Sequence, residues 1–530
     1  MFLRLGLLAA LCLPPLTAQK APTPERDPAR EFFARGEVVH VRLRLRPEER
    51  QKLRDKPREY AAADLRIDDA VFPNVGVKLK GAAGSFRAID ERPGFTVHLG
   101  KFDGAERFHG LARFHLNNGA QDDSRLCEWL GHEVFTAAGH PAPRVAHARV
   151  WLDDQDQGLY VLRESFDKQF LVRVFGSDAG NLYDGGFCQD VDTDLEKDSG
   201  KGPDDHADLH TLRDLCSGVD RERGDALAAA IDVPTFVDFV ALESMLGHWD
   251  GYSRNMNNFR LWLPTGGKAV FLPHGMDQLL GDTDYSVLDH PPAIVASAVL
   301  QVPAFRKRYR DRLKALLPHV QPARLVPKLE AMAAKLQKEL RTVGDDAVQA
   351  HAEAVRSLVD RVRARADNLD KQSKAPEPKP LQLAVGKAMA LKNWNTAAET
   401  GGVELAKKGF QGVSALHVQC QPGEDGERVA AWRTHVLLGK GRYQLRGTAR
   451  CDKLVPTPKD GDGNEHGGVR LRVDGAISER LTGDRNWTAL VCDFEVGEFQ
   501  RNVELACELK ALGGQGWFRF DSLSLVRLPD

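Results

Sequence analysis

The sequence predicts an α+β protein in at least two folded parts: a mixed strand-and-helix part, then an antiparallel β-sandwich. Three observations carry that expectation. Val39, Val41, Leu43 and Leu45 alternate with polar residues, the period of a half-buried strand, and open the first part. Residues 301–372 become rich in Ala, Leu, Lys, Glu and Arg, with Val348, Val355, Leu358, Val362, Ala366 and Leu369 at helical spacing. Past a Pro-rich segment, short alternating runs separated by Gly and Asp turns continue through residue 525. A chain of 530 residues also exceeds what one core usually organises, so two or three units are expected.

Taken in order, residues 1–18 place Arg4 before the apolar run Leu5 to Leu16 and end in Thr17-Ala18, a signal-peptide pattern cleaved near Ala18. That run is shorter than the ~20 residues of a membrane helix, and no later stretch reaches that length. The expectation is a secreted, periplasmic or cell-envelope protein with no membrane span. A net charge of -2 excludes a general attraction to nucleic acid or anionic membrane. Seven cysteines follow residue 18, widely spaced and without a C-x-x-C pair, which argues against a dense disulfide framework or a zinc ribbon. Four of them (Cys420, Cys451, Cys492 and Cys507) lie in the last part, where one or two bridges stay open, although Cys507 alternates with Val503 and Leu505 like a buried hydrophobe.

Val75, Val77 and Leu79 predict a strand with Lys78 and Lys80 on its other face. A helix is expected after Asp232, with Pro234 in its first turn, Phe236, Val237, Val240 and Leu246 on one face, and Gly247 at its end. Phe259 to Trp262 and Lys268 to Leu272 predict a hairpin around Pro264-Thr265-Gly266-Gly267. Asp250 and Asp277 flank that hairpin and are expected to approach each other. Two such carboxylates with amides between them suit metal-assisted phosphoryl transfer, where one orients the acceptor hydroxyl and the other, with an amide, holds the metal. Asp250 and Asn255 have the D-x-x-x-x-N spacing of that division of labour.

His206 and His210, four apart among Asp204, Asp205 and Asp208, have a metal-capable spacing but no third ligand, and read as a polar helix face. The acidic run from Asp190 to Asp208 reads as a mobile insertion. Gln372-Ser373-Lys374-Ala375-Pro376-Glu377-Pro378-Lys379-Pro380 reads as an extended, semi-rigid linker.

From about Val75 to Asp282 the chain resembles the spore-coat protein H (CotH) kinase family, secreted atypical kinases with a protein-kinase-like core. The resemblance rests on an ordered set of segments: Val77 to Ser85, Arg92 to Val97, Leu116 to Ser124, Gly158 to Glu164, Asn181-Leu182-Tyr183, Asp250 to Asn258, and Pro273 to Asp277. It implies an atypical protein-kinase-like domain over 36–372, including C-terminal helices 301–372, then the linker 373–381 and the sandwich 382–530. It implies ATP with Mg2+ or Mn2+ as cofactors and a protein with a Ser or Thr acceptor as substrate. Carried over by position, Asp250 would be the catalytic base or acceptor-orienting group. Asp277 would be the main metal ligand, with Asn255 or Asn258 as the second contact. Lys80 and Arg92 would be the candidates for contacting phosphate, and Glu164 would orient one of them or contact the nucleotide.

Many family members carry two acidic residues in a Pro-Trp-Asp-x-Asp turn, whereas Pro273-His274-Gly275-Met276-Asp277 keeps only the second. An inactive pseudokinase scaffold is therefore the alternative. Asp282 reads as an exposed loop carboxylate. The last part looks like the jelly-roll carbohydrate-binding modules appended to secreted enzymes, which makes a glycan a second possible partner. Trp394, Trp432, Trp487 and Trp517 could line a sugar-stacking surface, with burial in the core as their default.

Overall fold

The computed structural model describes residues 27–102, 104, 106–216, 224–398, 400–421, 427–456, 467–473 and 475–529. The expected signal peptide, residues 1–18, lies outside the described residues. In chain order the structure opens with α1 (Ala29–Arg35), β1 (Val38–Leu45), α2 (Pro47–Asp55), β2 (Ala61–Ile67), β3 (Ala70–Lys80), β4 (Gly94–His98) and β5 (Arg113–Asn117). It continues with α3 (Cys127–Ala137), β6 (Val145–Leu152), β7 (Gln155–Glu164), α4 (Lys168–Phe175), β8 (Gly180–Asp184), β9 (Glu196–Gly200), α5 (Ala207–Cys216) and α6 (Gly224–Ala230). Next come α7 (Val233–Met245), α8 (Tyr252–Asn255), β10 (Phe259–Pro264), β11 (Val270–Pro273), α9 (Ile294–Gln301), α10 (Pro303–Leu316), α11 (Pro322–Leu340) and α12 (Asp345–Lys374).

Two units result: residues up to 118 with 144–178, and 119–143 with everything from 179 onward. The first is built on a closed barrel of seven strands in the order β1-β2-β3-β4-β5-β7-β6, closed by parallel pairing of β1 with β6. The period-2 alternation places Val39, Val41 and Leu43 in the core, where Leu65, Val77, Leu79, Phe95, Phe114, Leu116, Val150 and Leu162 join them.

In the second unit β11-β10-β8-β9 form an antiparallel sheet, with the expected hairpin as β10 and β11. Helix α7 starts where expected, because Asp232 accepts hydrogen bonds from the Thr235 N–H (3.4 Å) and hydroxyl (2.8 Å). It ends at Met245, and Gly247 takes the left-handed φ of 58° that lets the chain turn away. Of the helices after residue 300, α10 packs along α7, and α12 reaches its C-terminal end. Arg312 of α10 forks onto Asp238 at 2.6 and 2.7 Å. Arg365 of α12, 2% exposed, donates to the carbonyls of Ser244 (2.7 Å), Met245 (2.9 Å), Thr283 (3.1 Å) and Tyr285 (2.6 Å). Burial pulls the Arg365 guanidinium down to about 10, so it stays charged at neutral pH and caps the last carbonyls of α7.

The acidic run is not the mobile insertion expected. Its residues 196–200 pair with β8 as β9, and Asp190 is 7% exposed. One Asp190 oxygen accepts from the Tyr252 hydroxyl (3.0 Å) and the other from the Ile294 N–H (2.7 Å), and at the far end Asp208 accepts from the Tyr183 hydroxyl (2.7 Å) and the Asn181 amide (2.9 Å). His206 precedes α5 at a φ of 54° and bonds the Leu195 carbonyl (3.0 Å), while His210 bonds Asp194 (2.7 Å); they are not one helix face. The linker is also pinned: Glu377 accepts from Arg306 (2.7 Å), and the Leu381 N–H donates to the Leu437 carbonyl (2.8 Å).

The last part is antiparallel, but it is one hydrogen-bonded sheet of ten strands and not two separate sheets. They are β12 (Ala388–Ala390), β13 (Asn395–Ala398), β14 (Val403–Lys407), β15 (Ala415–Cys420), β16 (Arg428–Val455), β17 (Gly468–Val473), β18 (Ala476–Ile477), β19 (Gly483–Ala511), β20 (Gly513–Arg519) and β21 (Ser524–Arg527). β16 and β19 run 28 and 29 residues and pair along almost their whole length, with register shifts at 439–441, 449–451 and 451–454. These bulges bend the pair so that the sheet curls around one core containing Leu416, Trp432, Leu445, Leu471, Leu505 and Phe518. Trp394, Trp432 and Trp517 are buried, and Trp487 is half-buried. All seven described cysteines are free thiols, so neither possible bridge forms. Cys420 and Cys451 face Gly514 and Gly516 from opposite sides of β20, a strand's width too far apart to join.

Arg365→Met would remove the charged donor that four carbonyls share, those of Ser244, Met245, Thr283 and Tyr285. It is expected to lower stability by about 3 kcal/mol, read as a shift of the urea midpoint without a change in slope.

Candidate functional site

The segment after α7 carries the first carboxylate. His248 is 1% exposed and its Nε2 donates to the His274 carbonyl at 2.9 Å; burial lowers its pKa, so the ring is neutral at pH 7. Trp249 is 47% exposed, and the half-buried Asp250 follows it. Asp250 Oδ1 accepts from the Asn255 side-chain amide at 2.6 Å, and Oδ2 accepts from those of Asn257 (3.0 Å) and Asn258 (2.7 Å). Three amides therefore fix the orientation of one carboxylate. Asn255 and Asn258 were expected in the site as metal contacts and Asn257 had no role assigned; the turn that swings Asn257 and Asn258 back onto Asp250 runs through Met256 at a φ of 47° and Asn258 at 36°, which no residue type announces.

The Asp277 turn is fastened to this loop. Phe259 pairs with Pro273 at the open end of the hairpin, and the His274 N–H donates to the Asn258 carbonyl at 3.1 Å. The Leu280 N–H donates to the Leu246 carbonyl at 2.9 Å, and Arg361 of α12 to the Leu279 carbonyl at 3.1 Å. Asp277 sits in a 3-10 turn, Met276–Gln278, whose Met276 sulfur packs over Gly131 of α3, where a Cβ would lie 2.5 Å from it. The missing acidic residue has a steric counterpart. Gly275 has a φ of 56°, and a Cβ there would lie 2.3 Å from Asn258 Oδ1. Asn258 occupies the space that a second acidic side chain would need. Asp282 is exposed, its Oδ1 closing a local turn onto the Asp284 N–H at 2.8 Å.

In the barrel unit Lys80 donates to Asn117 Oδ1 across the outer face of three strands. The register explains the reach: Lys80 lies opposite Gly94, and Asn117 follows Leu116, the partner of Phe95. Because Gly94 has no side chain, the Lys80 stem can lie over β4; a Cβ at 94 would meet Lys80 Cγ at 3.2 Å. Asn118 joins the intervening loop to itself, donating to the carbonyls of Ser85 (3.1 Å) and Arg92 (2.9 Å). Arg92 lies on the Tyr160 ring and donates to the Leu159 carbonyl at 2.5 Å.

Glu164 is a correction. It orients neither Lys80 nor Arg92: it is 3% exposed and held by Arg144 (2.7 and 3.1 Å) and Arg173 (2.7 and 3.2 Å). Its position in β7, opposite Phe114, is three residues, about 10 Å, from Val161, which faces Asn117 in the Lys80 row. The Asp-x-Ser segment is structural as well. Asp122 accepts from the Ser124 N–H (3.0 Å) and hydroxyl (2.5 Å) and the Cys127 N–H (2.8 Å), capping α3.

Glu243, a site residue missed from the sequence, is wholly buried on α7 and accepts from the N–H groups of Tyr252 (3.0 Å) and Ser253 (2.9 Å). Its only sequence signal is an acid in an apolar helical run. Among the described residues, no group of three or more His, Cys, Asp or Glu side chains could hold a metal ion. The expected donor set, Asp277 with an amide oxygen of Asn255 or Asn258, would be all oxygen with one carboxylate. That chemistry suits a hard divalent cation completed by waters and phosphate oxygens, as Mg2+ prefers.

No curated protein matches the chain. Among solved structures, the chain is similar to TmCBM61 in complex with β-1,4-galactotriose, at 15% identity over 26% of this chain and 90% of that one, with a TM-score of 0.18. It is also similar to the family 11 carbohydrate-binding module of the cellulosomal cellulase Lic26A-Cel5E of Clostridium thermocellum, at 14% identity over 28% and 98%, with a TM-score of 0.16. The family described as CotH kinase protein matches residues 77–369, a span that contains the Lys80 strand, the amide-fenced Asp250 and the Asp277 turn. The chain belongs to the CotH kinase protein family.

Proposed function

We propose that this protein is a secreted atypical protein kinase that transfers the γ-phosphoryl group of ATP to Ser or Thr hydroxyls of extracellular or envelope proteins. The observation that carries the reading is the fixed Asp250 carboxylate, with both oxygens oriented by Asn255, Asn257 and Asn258. Asp250 accepts the hydrogen bond of the acceptor hydroxyl and aims its oxygen at phosphorus. As that oxygen bonds to the γ-phosphorus and the bond to the β-phosphate oxygen breaks, the hydroxyl proton passes to Asp250 and ADP departs. Lys80 supplies positive charge to the phosphates, and Arg92 is the second candidate for that contact. Asp277 with Asn255 or Asn258 would hold Mg2+ or Mn2+, whose charge would offset that of the phosphates.

A second reading has one observation in its favour. With Asn258 packed against Gly275, the site has a single carboxylate in the Asp277 turn, which weakens its hold on a cation. A catalytically inactive scaffold that binds glycan or cell-wall material through the ten-stranded sheet accounts for that loss.

Incubation with γ-labelled ATP, Mg2+ or Mn2+ and a generic Ser/Thr acceptor separates the two. The kinase reading expects labelling that falls about a hundredfold or more in both Asp250→Ala and Asp277→Ala, with circular dichroism unchanged. Absence of labelling together with absence of metal-dependent ATP binding by the wild type selects the scaffold. Gly94→Val, which pushes the Lys80 stem off β4, is expected to raise KM for ATP about tenfold and leave kcat within a few-fold.

A further inference from the structure

Glu243 makes no salt bridge among the described residues, although it is 0% exposed. Burying an acid whose hydrogen-bond partners all belong to Tyr252 and Ser253 is costly. The two N–H groups it accepts from are the first of α8, a helix of four residues whose N-cap, Gly251, has no side chain to do the same work. The fit is close: a Cβ on Gly251 would lie 2.5 Å from Glu243 Oε1 and 2.8 Å from the His248 ring. Asp250 stands between these anchors, with His248 tied to the His274 carbonyl on one side and Tyr252 and Ser253 tied to Glu243 on the other.

We propose that Glu243 is a positioning residue for Asp250, its two carboxylate oxygens pinning the backbone of Tyr252 and Ser253 and so setting where the Asp250 carboxylate points. This deepens the kinase reading and rests on it. Ionised, Glu243 offers both oxygens to the two N–H groups; protonated, one oxygen becomes a donor that an N–H cannot use. Burial pushes Glu243 up to about 7, while the Ser253 and Tyr252 N–H groups and Arg254 pull it down. The other titratable groups around it are Tyr285, held protonated, and the neutral His248. The hold on the loop therefore tightens as pH rises through 7. The sign for stability is opposite: a buried acid whose pKa is raised from 4.5 stabilises least once it is ionised, so this contribution falls as pH rises from about 4.5 to 7.

Two readouts test the proposal. Hydrogen exchange of the peptide spanning residues 250–256, corrected for intrinsic rates, is expected to slow across pH 6 to 8 in the wild type and to be about tenfold faster in Glu243→Gln. Phosphotransfer by Glu243→Gln is expected to lose about tenfold in kcat with KM for ATP within twofold, and to lose the rising limb near pH 7. Gly251→Ala, which displaces the carboxylate without altering Glu243, is expected to do the same and serves if Glu243→Gln does not fold. Wild-type exchange and an unchanged pH profile in these variants would overturn the proposal, as would faster exchange with unchanged kcat. A wild type without phosphotransfer overturns the kinase reading instead, and the exchange measurement still decides whether Glu243 holds the loop.

Discussion

A turn that leaves the end of a buried helix has to pair the backbone groups it removes from water inside the protein if it is to keep one shape. That requirement governs the segment from Gly247 to Asn258. Its partners come from the preceding helix and from later in the chain: Glu243 for the start of α8, the His274 carbonyl for His248, and Arg365 of α12 for the carbonyls where α7 stops. The Asn side chains then complete the fence around Asp250. The helical hairpin at the end of the matched region is thus part of what shapes the turn, since its Arg365 also fastens the loop at Thr283 and Tyr285.

What could be read from the sequence was what obeys a local rule. Helix α7 was legible because a capping Asp, a first-turn Pro and a terminal Gly each act within one turn of their own position. Two of the barrel strands, β1 and β3, were legible as alternation, and the hairpin as turn chemistry between aromatic and β-branched runs. Asp250 and Asn255 could be paired in the sequence because their spacing is short and the chain between them is one helical turn. That Asn257 and Asn258 also turn back onto Asp250 depends on left-handed residues at Met256 and Asn258, which no pattern announces.

The misses share a cause, which is that side-chain partners are chosen by tertiary position. Glu164 has the look of an orienting acid, but strand register places it beside Arg144 and Arg173 and away from the Lys80 row. The acidic run looks solvated, yet Asp190 is drawn inside by the Tyr252 hydroxyl and the Ile294 amide. Gly94 looked like part of a basic segment; its role is to leave a lane for Lys80, which only the pairing of β3, β4 and β5 discloses. The departure at Gly275 reads in sequence as a lost ligand, and in three dimensions as a space already taken by Asn258.

The ten-stranded sheet carries a consequence of another kind. At about 3.3 Å per residue β16 and β19 each trace some 90 Å of backbone, and both layers of the curl are cut from the same two strands. Neither layer can peel away while the other stays folded, because the ladder that would have to open is common to both.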